Sequence, residues 1–236
     1  EAFKWDKPEF AHLPLLRNPD KSKLSKRKNP VWASWYLQQG YLPEAVLNSL
    51  SLMGWSHPKQ KEIFDMNEFM KVFDLKDMKP VGPAFDIVKL EWMNGEYIRK
   101  MENDDLQIKI HAFYGKKYDE ELIGKTIPLI RERIKKLSDY FPLCEFLFEK
   151  PEKYETDLKK HKDLIKKIHT ALSAVSDWKA DHIGDAMIEL AKQEGVKNSE
   201  FFTILRVSIT GKKISPPLNE SMELLGKKTC LDRLKM

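Results

Sequence analysis

From residue 103 onward the chain spaces its large apolar side chains three and four residues apart and shows no long run of strand-like alternation. Such a stripe is buried only when helices pack on helices. Leu158, Ile165, Ile168, Leu172 and Val175 form one, with Lys159, Lys160, Lys162, Lys166 and Lys167 on the opposite face, which predicts a helix over 154–175. A second is predicted over 118–137, with Leu122, Ile127, Ile130 and Ile134 inward and Pro128 kinking the axis. A third covers 178–194 and is closed by Gly195. Phe201, Phe202 and Leu205 mark the inner face of the next, capped by Asn198 or Ser199 and ended by Gly211. Another follows Pro216-Pro217 and stops at Gly226, with a tail helix after Thr229. Residues 106–112 alternate too briefly to outweigh their helical surroundings, and 141–148 supply an aromatic patch.

The first hundred residues are less regular. Pro8, Pro14 and Pro19 exclude a helix at the start. One helix is predicted from Pro30 through Tyr36, and a second from Pro43, with Val46, Leu47, Leu50 and Met53 on one face and Gly54 at its end. Asn67 reads as the cap of a helix over 68–73, and 79–83 as a turn. Asp86 caps 87–92, Asn94-Gly95 reads as a turn, and the chain resumes over 96–102. Trp32, Trp35, Trp55, Trp92 and Trp178 are expected to pack rather than to stack on a ligand.

Composition narrows the class. No apolar run approaches the roughly 20 residues that span a bilayer. With 33% charged and 42% hydrophobic residues, a soluble folded protein is expected. The net charge of +5 permits a nucleic-acid partner. Cys144 and Cys230 lie in unrelated segments, so neither a disulfide framework nor zinc spacing is present, and a reducing cytoplasm fits. The histidines do not cluster at ligand spacing, so no metal site is expected.

One short string carries chemistry. In Lys23-Leu24-Ser25-Lys26-Arg27, three cations and a hydroxyl fall within five residues and can gather around a triphosphate. By itself such a string is usually a solvated basic loop. Its surroundings change that reading. The string resembles the KMSKS-type signature of class I aminoacyl-tRNA synthetases, in the form typical of glutamyl-tRNA synthetases, and the helical C-terminal pattern agrees with the bacterial type. Phe10–Leu16 upstream is similar to the family's lead-in segment. Gly40–Ser56, Val81–Asp86 and Lys89–Arg99 are similar to successive downstream blocks, and the stretch beginning LRVSITGKKISPPL to its anticodon-binding helices.

The resemblance implies a mainly α fold. A stem-contact domain with the signature loop is expected over 1–102, and a two-part all-α anticodon-binding bundle over 103–153 and 154–236. A β-barrel anticodon domain, as in the archaeal and eukaryotic cytosolic relatives, is not expected. It further implies that Lys26 stabilises the α-phosphate of ATP under attack by glutamate, with Lys23 and Arg27 also holding ATP phosphates. Arg133, in LIRERIKKLSDYF, falls on the arginine that reads the last anticodon base, whose O2 and N3 acceptors suit a planar guanidinium. Arg206, Pro216 and Leu218 fall on positions that touch anticodon nucleotides. A surface cation, a turn and a core residue are the ordinary readings of those three, and Arg131 and Arg133 can equally form a basic helix face.

No HIGH-type motif, Gly-rich phosphate loop or βαβ pattern occurs. The chain therefore reads as the C-terminal part of a glutamate–tRNA ligase, inactive alone, using Mg-ATP and glutamate through an absent catalytic half. Its expected partner is tRNA(Glu), and a cytoplasmic monomer is expected. A stand-alone non-catalytic tRNA-binding module is the main alternative. A lysine-rich partner-binding protein and a tRNA-modifying paralogue are weaker ones.

Overall fold

The computed structural model describes residues 2–8, 10–25, 32–79 and 82–235. Its contacts divide into two compact units, Glu1–Lys100 and Met101–Met236. Among the described residues there are helices and two isolated β-bridges but no strand, the mainly α fold that the apolar spacing predicts. No described helix is long and apolar enough to cross a membrane.

The first unit holds α1 (Ala33–Gln38), α2 (Pro43–Ser51), α3 (Met66–Val72) and α4 (Ile87–Lys100). Pro43 sits in the first turn of α2, where a missing N–H costs nothing. The stripe predicted for α2 is only partly right. Leu47 and Leu50 remain 46% and 45% exposed, while Ala45, Asn48 and Ser49 face inward. The cap of α3 is Asp65, not Asn67, because the Asp65 carboxylate accepts the Glu68 N–H at 2.7 Å. Asp86 does cap α4, taking the N–H groups of Val88 and Lys89. Trp55 is buried and meets the rings of Phe64, Phe69 and Phe73 edge-on. Trp92 and Trp32, expected to pack, are instead 40% and 61% exposed.

Asn94-Gly95 is not a turn. Helix α4 runs straight through both residues. Asn94 is wholly buried, and its Oδ1 accepts the Leu42 N–H at 2.8 Å, satisfying a donor that α2 itself cannot pair. The local turn preference loses to this tertiary bond. Asn94→Ala is expected to cost about 1–2 kcal/mol, read as a lower urea midpoint, whereas Trp92→Ala should change it by less than about 0.5 kcal/mol.

The second unit contains α5 (Asn103–Phe113), α6 (Glu120–Ile130), α7 (Tyr140–Phe148), α8 (Lys162–Ala174), α9 (Ala180–Gln193), α10 (Asn198–Thr210), α11 (Leu218–Leu225) and α12 (Lys227–Leu234). Two predicted helices prove shorter. The 118–137 pattern forms α6 only to Ile130, which accommodates Pro128 inside it, and Ile123 rather than Leu122 is fully buried. The 154–175 pattern splits into a 3₁₀ turn at Leu158–His161 followed by α8. Its stripe still holds, for Leu158, Ile165, Ile168 and Leu172 all enter the core with Met187, Phe201, Leu205 and Met222. No side chain caps α10, although Asn198 or Ser199 was expected to.

Cys144 and Cys230 are free, fully buried thiols, and burial pushes each up to about 12. Unfolding would return them to the ordinary 9.0, so the unfolded chain loses these protons first. The stability they contribute is full below that value and declines as pH rises from there toward 12. Both thiols should resist alkylation at about pH 8 in the native chain and react only on unfolding.

Candidate functional site

Two regions carry the residues singled out by the sequence, one in each unit. In the first unit, 16–24 folds back on itself. Asn18 N–H donates to the Ser22 carbonyl at 2.8 Å and Leu24 N–H to that of Leu16, while Arg17 and Lys23 form an antiparallel bridge. The Asp20 carboxylate closes the turn by accepting both the N–H and the hydroxyl of Ser22. Arg17 also pairs with the 83–85 segment, through Arg17 N–H to Pro83 O at 2.9 Å and Phe85 N–H to Arg17 O at 2.8 Å. Gly82 permits that approach, since a Cβ there would lie 2.7 Å from the Leu15 carbonyl oxygen. Two blocks far apart in sequence thereby buttress the entry to the basic string.

Lys23 is exposed and, with Leu16, Leu24, Tyr36, Val46 and Phe85 among others, lines an apolar pocket of about 340 Å³. Lys26 and Arg27, expected beside it, lie outside the described residues. No cluster of His, Cys, Asp and Glu able to hold a metal occurs among the described residues.

In the second unit, residues scattered over 133–218 converge. Helix α6 ends at Ile130, and the chain turns over 131–136 instead of continuing as helix. The turn is pinned by the buried Ile134 and by Asp139, whose carboxylate accepts the N–H groups of Lys135 and Lys136. Arg131 and Arg133 part company here. Arg131 donates to the Asn103 side chain, whereas Arg133 donates through one guanidinium nitrogen to the Ser215 carbonyl at 3.3 Å. That bond is long and readily surrendered, and it leaves most of the Arg133 donors unengaged.

Arg206 reaches the same spot from α10. Its guanidinium donates to the Ser215 hydroxyl and to the Pro216 carbonyl at 3.0 Å. Burial, and then the charge of Arg133, pushes its pKa down, although a guanidinium stays charged throughout the useful range. Neither arginine has a carboxylate partner among the described residues. Two cations held close with no anion between them form a standing electrostatic deficit that a phosphate or a base acceptor can relieve.

Pro216 and Leu218 sit at this spot but point inward. Pro216 is buried, and Leu218 is 4% exposed within the hydrophobic core. They shape the loop more than they face solvent. Ser215, which both arginines share, was not legible in the sequence: serine beside Pro-Pro reads as an ordinary loop residue, and only the fold brings Arg133 to it.

On the lysine face of α8, Lys167 pairs with Glu194 at 2.5 Å. Lys159, Lys160, Lys162 and Lys166 are exposed with no carboxylate partner among the described residues.

Comparison with known proteins covers the spans that hold both regions. Residues 91–236 match the family model described as anticodon binding domain, and residues 1–92 match that of the class I (E and Q) tRNA synthetase catalytic domain. The glutamate–tRNA ligase of Acidothermus cellulolyticus is 41% identical over 98% of this chain and 50% of its own length. That of Thermus thermophilus is 36% identical over 99% and 52%. Among solved structures, a glutamate tRNA ligase from Elizabethkingia meningosepticum in complex with its amino acid superimposes with a TM-score of 0.82 at 32% identity, covering 99% of this chain and 52% of its own. The chain thus spans about half the length of the curated relatives it matches.

Proposed function

Because the chain belongs to the anticodon-binding domain family, joined here to part of a class I (E and Q) tRNA synthetase catalytic domain, we propose that it is the tRNA-reading portion of a glutamate–tRNA ligase. One observation carries this reading: the guanidiniums of Arg133 and Arg206, with no carboxylate partner among the described residues, meet on the loop around Ser215. Arg133 is the base reader and takes the last anticodon base by its edge. Arg206 holds the loop that receives it. Pro216 and Leu218 support the site from beneath, and the tRNA backbone follows the lysine face of α8.

The three-part division into 1–102, 103–153 and 154–236 belongs to this proposal. So does the role of the basic string. Lys26, with Lys23 and Arg27, holds the phosphates of ATP, which arrives with magnesium. That activity needs the rest of the catalytic domain, so this chain by itself is expected to bind tRNA(Glu) as a cytoplasmic monomer without charging it. The exposed Lys23 and the buttress from Arg17 to 83–85 favour a loop presented to a ligand rather than a loose tail.

Binding of a tRNA(Glu) transcript to the chain, titrated with salt, tests the reading. Affinity should fall by a little under one log unit per log unit of salt for each phosphate contacted. It should also fall when the anticodon is replaced. Binding that ignores the anticodon at every salt concentration would leave only a non-specific basic surface.

A further inference from the structure

The loop 211–217 between α10 and α11 is tied down at nearly every residue. Glu155 N–H donates to the Gly211 carbonyl at 2.9 Å, and the Glu155 carboxylate accepts Lys213 N–H at 2.7 Å. Lys212 Nζ donates to the Pro142 carbonyl at 2.6 Å and to Glu145 at 3.1 Å. Gly211 takes φ +77°, and a Cβ there would lie 2.7 Å from the Lys153 carbonyl oxygen, so the loop's first corner admits only glycine. Ser215 and Pro216 are held by the two arginines.

Ile214 stands in the middle of these anchors with no hydrogen bond of its own among the described residues, and it is 72% exposed. The other exposed large apolar residues of this unit, Ile108, Ile188 and Tyr154, reach 56%, 39% and 36%. A single apolar residue on a surface ordinarily signifies nothing. Here its backbone is fixed on both sides, so its display does not depend on loop motion, and contact with it would order little further. It also directly precedes Ser215, whose carbonyl takes the Arg133 guanidinium. An exposed apolar residue, next along the chain to a serine that holds two cations without a carboxylate partner among the described residues, is the chemistry that suits an unstacked nucleotide, with its flat ring and its acceptor edge.

Resting on the anticodon reading above, we infer that Ile214 is a platform for the face of the third anticodon base, while Arg133 holds that base's edge. The two residues divide the work. An aliphatic side chain contacts any ring face, so Ile214 sets affinity at this position and Arg133 sets identity.

The test measures binding of tRNA(Glu) transcripts, intact or abasic at the third anticodon position, to the unaltered chain and to Ile214→Ala and Ile214→Phe. Ile214→Ala should weaken binding of the intact tRNA roughly three- to ten-fold and leave binding of the abasic tRNA unchanged. Ile214→Phe should retain or improve binding of the intact tRNA. Equal weakening of both tRNAs by Ile214→Ala, or of neither, overturns the platform. If removing the third base does not weaken binding to the unaltered chain, the anticodon reading of this site fails as well, an outcome separate from failure of Ile214 alone.

Discussion

An Arg133→Ala variant is expected to bind tRNA(Glu) with its native third anticodon base no more tightly than tRNA altered at that base. The unaltered chain should prefer the native base by roughly ten- to hundred-fold, about 1.4–2.8 kcal/mol. The size of the effect follows from geometry. Arg133 spends one guanidinium nitrogen on a 3.3 Å bond to Ser215, and its other donors are those the proposed base edge would engage. A planar fork that meets both O2 and N3 of a cytosine loses both contacts when the base changes, and the desolvated donors are then left unpaired. Arg133→Lys should restore overall affinity through its charge while leaving the preference lost, because an ammonium has no fork. Filter binding or calorimetry with the two tRNAs against the three proteins provides the check. A preference that survives in Arg133→Ala would move the base reader elsewhere.

The second large effect concerns stability and comes from Arg233, which no motif singles out. It is 6% exposed in α12, yet its guanidinium donates to the carbonyls of Ile209 at 2.8 Å, Phe146 at 2.6 Å and Glu149 at 3.3 Å. Phe146 and Glu149 lie at the C-terminal end of α7 and Ile209 at that of α10, where carbonyls have lost their helical partners and the dipole favours a cation. One side chain thus caps two helices at once. Arg233→Ala should destabilise the second unit by about 3–5 kcal/mol, since it orphans buried acceptors and opens a cavity together. Arg233→Met keeps the aliphatic stem and should recover about 1 kcal/mol of that loss, the packing share. Urea unfolding of the full chain, followed by far-ultraviolet circular dichroism, distinguishes the two. Equal stability of Arg233→Ala and the unaltered chain would show that water satisfies these carbonyls and that the clamp is redundant.

Much of this fold could be read from the chain, unevenly. The Leu158–Leu172 stripe, the caps at Gly195 and Gly211 and the start of α2 at Pro43 are local signals, and they emerged as expected. Errors arose where a distant group outbid a local preference. Asn94-Gly95 carries a turn dipeptide, but Asn94 is recruited by Leu42, 52 residues away, and remains helical. Trp92 looks like core material because it is large and apolar, yet it falls on the outer face of α4. Leu47 and Leu50 satisfy the helical period while the smaller Ala45, Asn48 and Ser49 take the contact face. Size and hydropathy rank candidates for burial, but only the neighbouring helix selects the face.

The candidate site divides the same way. Sequence alone determined that the C-terminal part is helical, that Arg133 and Arg206 are cations near helix ends, and that the chain resembles a class I synthetase. Helical period and residue chemistry are short-range properties, complete within a few turns. The tertiary structure decided that Arg133 and Arg206 share Ser215, that Arg131 turns away to Asn103, and that the apolar Ile214 is exposed on a fastened loop. Those outcomes depend on groups as far as 82 residues apart along the chain, brought together by core packing that no local pattern records.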